Sequence, residues 1–148
     1  MTAHALAKRL RINFGLGINA SYRAALVVAH DHGLIDSSGR RSSYELNVIA
    51  KAETILCACV AGGGLTKDLN TFLAGARASG VAARLGELLD KPERLAASQF
   101  HFDAQGRAIR IFADFEKAVL ALEVFAGGPP DGGARILNGA KLVEVLAE

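Results

Sequence analysis

Two close pairs of metal-ligand side chains stand out in this 148-residue chain: His30-Asp31-His32 and Cys57-Ala58-Cys59, with His101 further on. Imidazole and thiolate are ligands that zinc prefers, and structural zinc sites place a ligand pair two to four residues apart on a knuckle or turn. On a helix, residues two apart point about 200° from each other, so neither pair can share a metal while helical. His30 and His32 do stand just before Gly33, where a helix end can unwind. One member of each pair could then converge with His101. The competing reading makes His32 a favourable partner for a helix C-terminus and the cysteines small core hydrophobes. A thiol nucleophile, Cys57 with His30 or Cys59 with His32, would need exposure in an electropositive pocket. The surrounding ILCACVA argues for burial instead. His101 and Asp103 fall on one side of an alternating strand, so the carboxylate could orient the imidazole for base work; exposed hairpins carry such pairs for solubility too. No residue is assigned as catalytic, and whether the chain is an enzyme stays open.

Two glycine-rich strings suggest anion binding. Gly62-Gly63-Gly64-Leu65-Thr66-Lys67 can form a nest of backbone N–H groups, to which Thr66 would add a hydroxyl and Lys67 a cation. It lacks the GxxxxGK[ST] spacing of a P-loop. Its plain reading is a helix end followed by a connection, because glycine is what a helix terminus requires. Gly15-x-Gly17-x-x-Ala20 matches the dinucleotide fingerprint GxGxxG/A. That fingerprint needs a second strand ending in an acid about twenty residues on. Asp36 has the distance, but only Gly33, Leu34 and Ile35 lie between it and the preceding helix. A loop between helices is the better reading.

These groups must be positioned by a chain that reads mostly as helix. Over 2–12, Leu6, Leu10 and His4 with Ala7 recur at helical spacing, with Lys8, Arg9 and Arg11 opposite, a short basic amphipathic helix. Asn19 can cap a second helix over about 20–33 that ends at Gly33. Ser42-Ser43-Tyr44-Glu45 reads as a capping box opening a helix that runs to about Ala61. Thr66 can cap a fourth helix with Leu69, Phe72, Leu73 and Ala76 as its apolar stripe. Gly80 precedes a fifth, containing Val81, Leu85, Leu88 and Leu89, and Pro92 suits the first turn of a short sixth. At Ser98 the period changes to two: QFHFD and RAIRIF, joined by a loop with Gly106, predict an antiparallel hairpin over 98–112. Phe115, Val119, Leu122 and Phe125 favour a helix capped by Asp114, although VLALEVF also suits a strand. After the loop GGPPDGG, the segment ARILNGAKLVEVLAE predicts a closing amphipathic helix.

The expectation is a single domain over 1–148, an α-rich α+β fold of six or seven helices with a small hairpin, with all-α as the alternative. A chain of 15.5 kDa can bury a core without metal or disulfide support. No apolar run is long enough to span a membrane. Two cysteines two residues apart do not make a disulfide scaffold, and the basic N-terminus lacks a signal-peptide pattern, so a reducing cytoplasm is expected. The net charge of +2 excludes a general polyanion binder. Charge is uneven, though: residues 1–41 hold six basic and two acidic residues, and the remainder eleven basic and thirteen acidic. Lys8, Arg9, Arg11 and Arg23 make nucleic-acid binding through the first helix a third reading, disfavoured because aromatic residues are few there and no recognition module is present.

Catalytic motifs are thin and apolar helices abundant. The leading expectation is therefore association, as a homo-oligomer or accessory subunit in contact with a partner protein, with no cofactor and no membrane. The rival is a small-molecule, anion or metal-binding protein using Gly62–Lys67 or His30, His32 and His101.

Overall fold

Thr2 starts the first helix by chemistry that its side chain dictates: its hydroxyl accepts from Ala5 N at 3.2 Å. Helix α1 (Ala3–Phe14) turns Ala3, Leu6, Ala7 and Leu10 inward and ends at Gly15, whose φ of 65° is the left-handed conformation glycine takes without strain. The second helix, α2 (Ile18–Asp31), begins earlier than the Asn19 cap reading requires, so Asn19 lies inside it. It closes at Gly33 (φ 69°), with Leu34 N donating to Ala29 O at 2.8 Å. In this computed structural model the described residues are 1–15, 18–34, 45–61, 69–102, 109–113, 118–120 and 135–147.

The third helix, α3 (Val48–Ala61), does not start from the Ser42–Glu45 capping box. Glu45 instead forms an isolated antiparallel bridge with Thr2 and meets the Met1 amino group, while Leu46 N donates to Met1 O at 2.9 Å. The cap is Asn47, whose side-chain oxygen accepts from Ala50 N at 2.8 Å. A carboxylate fixed beside an ammonium group cannot also reach back to a helix start, and Asn47 is an equally good cap. Residues 42–44 lie outside the described residues.

Helix α3 is the central post. It packs against α1, α2, α4 (Leu69–Ala78) and α5 (Val81–Leu89). Ala50, Ala52, Ile55, Leu56, Cys57, Ala58 and Cys59 are all buried, as expected for a helix whose last turns, ILCACVA, are apolar on every side. The expected stripe of α4, Leu69, Phe72, Leu73 and Ala76, is likewise buried. Pro92 opens the short α6 (Pro92–Ala96), where its missing N–H costs no helical bond.

The expected hairpin is present. Strand β1 (Ser98–Phe102) pairs antiparallel with β2 (Ile109–Ala113), with Ser98 opposite Ala113 and Phe100 opposite Ile111. With β3 (Ala118–Leu120) and β4 (Arg135–Asn138) it forms a larger sheet of order β3-β2-β1-β4, antiparallel throughout. Two helix expectations are overturned by it. Ala118–Leu120, inside the stretch expected to be helical, is strand β3, paired with β2. Its apolar residues satisfy either period, and an open β2 edge offers ladder bonds that an isolated helix lacks.

Similarly, Arg135–Asn138 is strand β4 on the other edge of β1, and helix α7 begins only at Gly139 and runs to Leu146. Asn138 is the switch, its side chain accepting from Ala140 N at 2.8 Å. The fold is thus α-rich α+β, its sheet anchored by the buried Phe100 and covered by α7.

Candidate functional site

The densest polar arrangement lies where α2, α3 and α4 meet. Glu53 projects from the apolar post α3 and is only 1 % exposed. A lone buried carboxylate would be strongly destabilising, and the structure supplies partners from both neighbouring helices. Arg77 on α4 clasps it in a fork, Nε to Oε1 at 2.7 Å and Nη2 to Oε2 at 3.0 Å. His32, just beyond the last turn of α2, approaches Oε2 with Nε2 at 2.6 Å. An ionised carboxylate only accepts, so this ring nitrogen carries the proton. Arg77 also reaches Asp31 at the end of α2, Nη1 to Oδ2 at 2.6 Å.

These contacts decide the charges. Burial alone pushes the Glu53 carboxyl up, but hydrogen bonds from Arg77 and His32, with the Arg77 charge, bring it below its ordinary value. The hydrogen bond to Glu53 in turn holds Arg77 more firmly protonated. One turn along α3 from Glu53, the Cys57 thiol is pushed up to about 12, first by burial and then by the Glu53 charge. Burial therefore keeps the Cys57 thiol protonated at neutral pH, where it is a poor nucleophile.

An imidazole oriented by a buried carboxylate is also the geometry of a general base. Among the described residues no Ser, Thr or Cys side chain bonds to His32. What the cluster does physically is tie the end of α2 to the middle of α3 and the end of α4.

The residues singled out by spacing are dispersed. His32 faces Glu53, while His30 is exposed on the outer side of α2. Cys57 and Cys59 are both buried and neither is in a disulfide. His101 sits in β1 opposite Arg110 and Ile136. No three His, Cys, Asp or Glu side chains among the described residues are grouped to hold a metal. Gly62, Gly63, Gly64, Thr66 and Lys67, like Asp103, lie outside the described residues. Gly15, which opens the GxGxxA string, caps the end of a helix and follows no strand.

The basic residues of α1 divide. Arg9 donates to Val145 O at 3.0 Å and to Ala147 O at 2.6 Å, neutralising the end of α7. Lys8 is exposed and Arg11 half-buried. His4 does not join the inner stripe; it is exposed and stacks on Tyr22 of α2 with ring centroids 4.9 Å apart. On the outer surfaces, Ile12 of α1 is 62 % exposed and Leu26 of α2 is 56 % exposed.

A second apolar feature is a groove of about 240 Å³ between α5, α6 and α7, lined by Leu89, Pro92, Leu95, Val143, Leu146 and Ala147.

Spacing did not single out Glu53 or Arg77. The available signal was a carboxylate just ahead of the apolar run ILCACVA in the same helix. Its cation lies twenty-four residues away on another element. No helix among the described residues is long and apolar enough to cross a membrane. No family of known proteins, no curated protein and no solved structure matches this chain.

Proposed function

We propose that this chain works by association, assembling with copies of itself as a small helical subunit in a reducing cytoplasm. The observation that carries the reading is the exposure of Ile12 and Leu26 on the outer surfaces of two neighbouring helices. Large aliphatic side chains left in water are the usual mark of a surface that is covered in the working assembly when they occur together. The groove between α5, α6 and α7 supports it as a second apolar surface. The described polar chemistry supports it too: Glu53 is held from two sides, and Cys57 is a buried, protonated thiol. Two cysteines outside any disulfide fit a reducing compartment. Native mass spectrometry at micromolar concentration tests the reading. A defined multimer is expected, and a monomer overturns it.

A further inference from the structure

His32 meets Glu53 with one ring nitrogen only. Nε2 donates to Oε2 at 2.6 Å, and the side chain is 21 % exposed. In the neutral ring the proton therefore sits on Nε2, and Nδ1 carries the lone pair. Nδ1 is not a buried atom, and no described residue hydrogen-bonds to it. The basic nitrogen of this imidazole is open to water.

Its position is fixed from both sides. The backbone beyond α2 is held by His32 N donating to Val28 O at 3.0 Å and Gly33 N to His30 O at 3.1 Å. Glu53 is kept ionised by Arg77, whose fork reaches both carboxylate oxygens, and Arg77 is itself held by Asp31. Asp31 and Glu53 bring two negative charges against the single positive charge of Arg77. The surplus repels an anionic substrate. The positive charge that the ring gains on taking a proton is met by Glu53 Oε2.

We infer that His32 is a general base for the hydrolysis of small uncharged carboxylic esters, with Glu53 as its positioning residue. This activity does not depend on association. No Ser, Thr or Cys side chain among the described residues bonds to His32, so the proton it takes comes from water. Nδ1 accepts a proton from a water molecule as the water oxygen bonds to the acyl carbon. The C–O bond to the alcohol then breaks, and the departing alkoxide recovers that proton from Nδ1, leaving acid and alcohol. An ester suits a single imidazole because its alkoxide leaves readily, whereas an amide nitrogen must first be protonated.

Hydrolysis of p-nitrophenyl acetate by the full chain tests the assignment. His30, exposed and two residues away, is the internal control. The wild type and His30→Ala are expected to turn over the ester at equal rates, and His32→Ala at least about tenfold more slowly. Glu53→Gln takes away the charge behind the ring and is expected to lower kcat about tenfold with the imidazole still in place. Circular dichroism verifies that each variant folds. Proton–nitrogen NMR of the wild type needs no variant: it is expected to show the His32 proton on Nε2, with a downfield resonance that Glu53→Gln loses. Equal rates in the wild type and His32→Ala overturn the inference, and so does a wild-type ring with its proton on Nδ1. A loss that His30→Ala shares assigns the reaction to exposed imidazole in general and overturns it as well. Full activity in Glu53→Gln removes Glu53 from the positioning role.

Discussion

The charges at the α2–α3–α4 junction and those on the outer surface of α1 and α2 follow opposite rules. Inside, Glu53 is held by Arg77 and His32 while Arg77 is shared with Asp31, so acid and base alternate within hydrogen-bonding distance. Outside, the cations of α1 and α2 have no carboxylate on their own helices before Asp31. The inner charges fix helix positions, because taking away one partner leaves another group desolvated. The outer cations Lys8 and Arg23 stand in water, where a substitution is expected to change stability little.

The strongest way to break this contrast is Arg77→Ala, which leaves a buried carboxylate facing only His32. A loss of about 3 kcal/mol at neutral pH is expected from urea denaturation, the magnitude typical of breaking a buried pair. Glu53→Gln keeps the shape and removes the charge, and is expected to cost less, about 1–2 kcal/mol. If Arg77→Ala costs no more than an ordinary surface substitution, the inner cluster is not a clamp.

Acid comes next. Glu53 has a folded pKa below its ordinary value of 4.5, so its contribution is fully present above that value. It is lost as pH falls through the lower folded value. Denaturation midpoints measured from about pH 5 down to about pH 3 are expected to fall more steeply in the wild type than in Glu53→Gln. Equal slopes would remove Glu53 from the account.

Thiol reactivity sharpens the comparison from the inner side. With Cys57 pushed up to about 12 and both thiols buried, alkylation by iodoacetamide at mildly alkaline pH must await local opening. A rate at least about a hundredfold below that in denaturant is expected. The smallest effect belongs to the outer surface: the double variant Lys8→Glu, Arg23→Glu is expected to change unfolding free energy by less than about 0.5 kcal/mol. A larger loss would mean those cations serve the fold.

The same contrast explains what was legible in the chain. Leu69, Phe72, Leu73 and Ala76 were readable because burial imposes a 3.6-residue period on one helix. The hairpin was readable because Phe100 and Ile111 sit in strands of period two separated by a short connection. Ser42–Glu45 misled because a capping box is a local possibility, and Glu45 is engaged by Met1, forty-four residues away. Ala118–Leu120 and Arg135–Asn138 misled for the same reason: short apolar runs take the conformation of the edge they meet. Glu53 with Arg77 was beyond local reading, since no periodicity announces which helix ends converge on a buried carboxylate. The metal-ligand pairs were conspicuous only as strings; helix geometry sends His30 outward and His32 to Glu53.

Arg9 gives the fold a constraint in time as well as in space. Its guanidinium secures the carbonyl of Ala147, 138 positions later in the chain. At a synthesis rate of about 5–20 residues per second, α1 leaves the ribosome roughly 7–28 s before its partner exists. During that interval Leu6 and Leu10, destined for the core, stand on a helix with one flank uncovered.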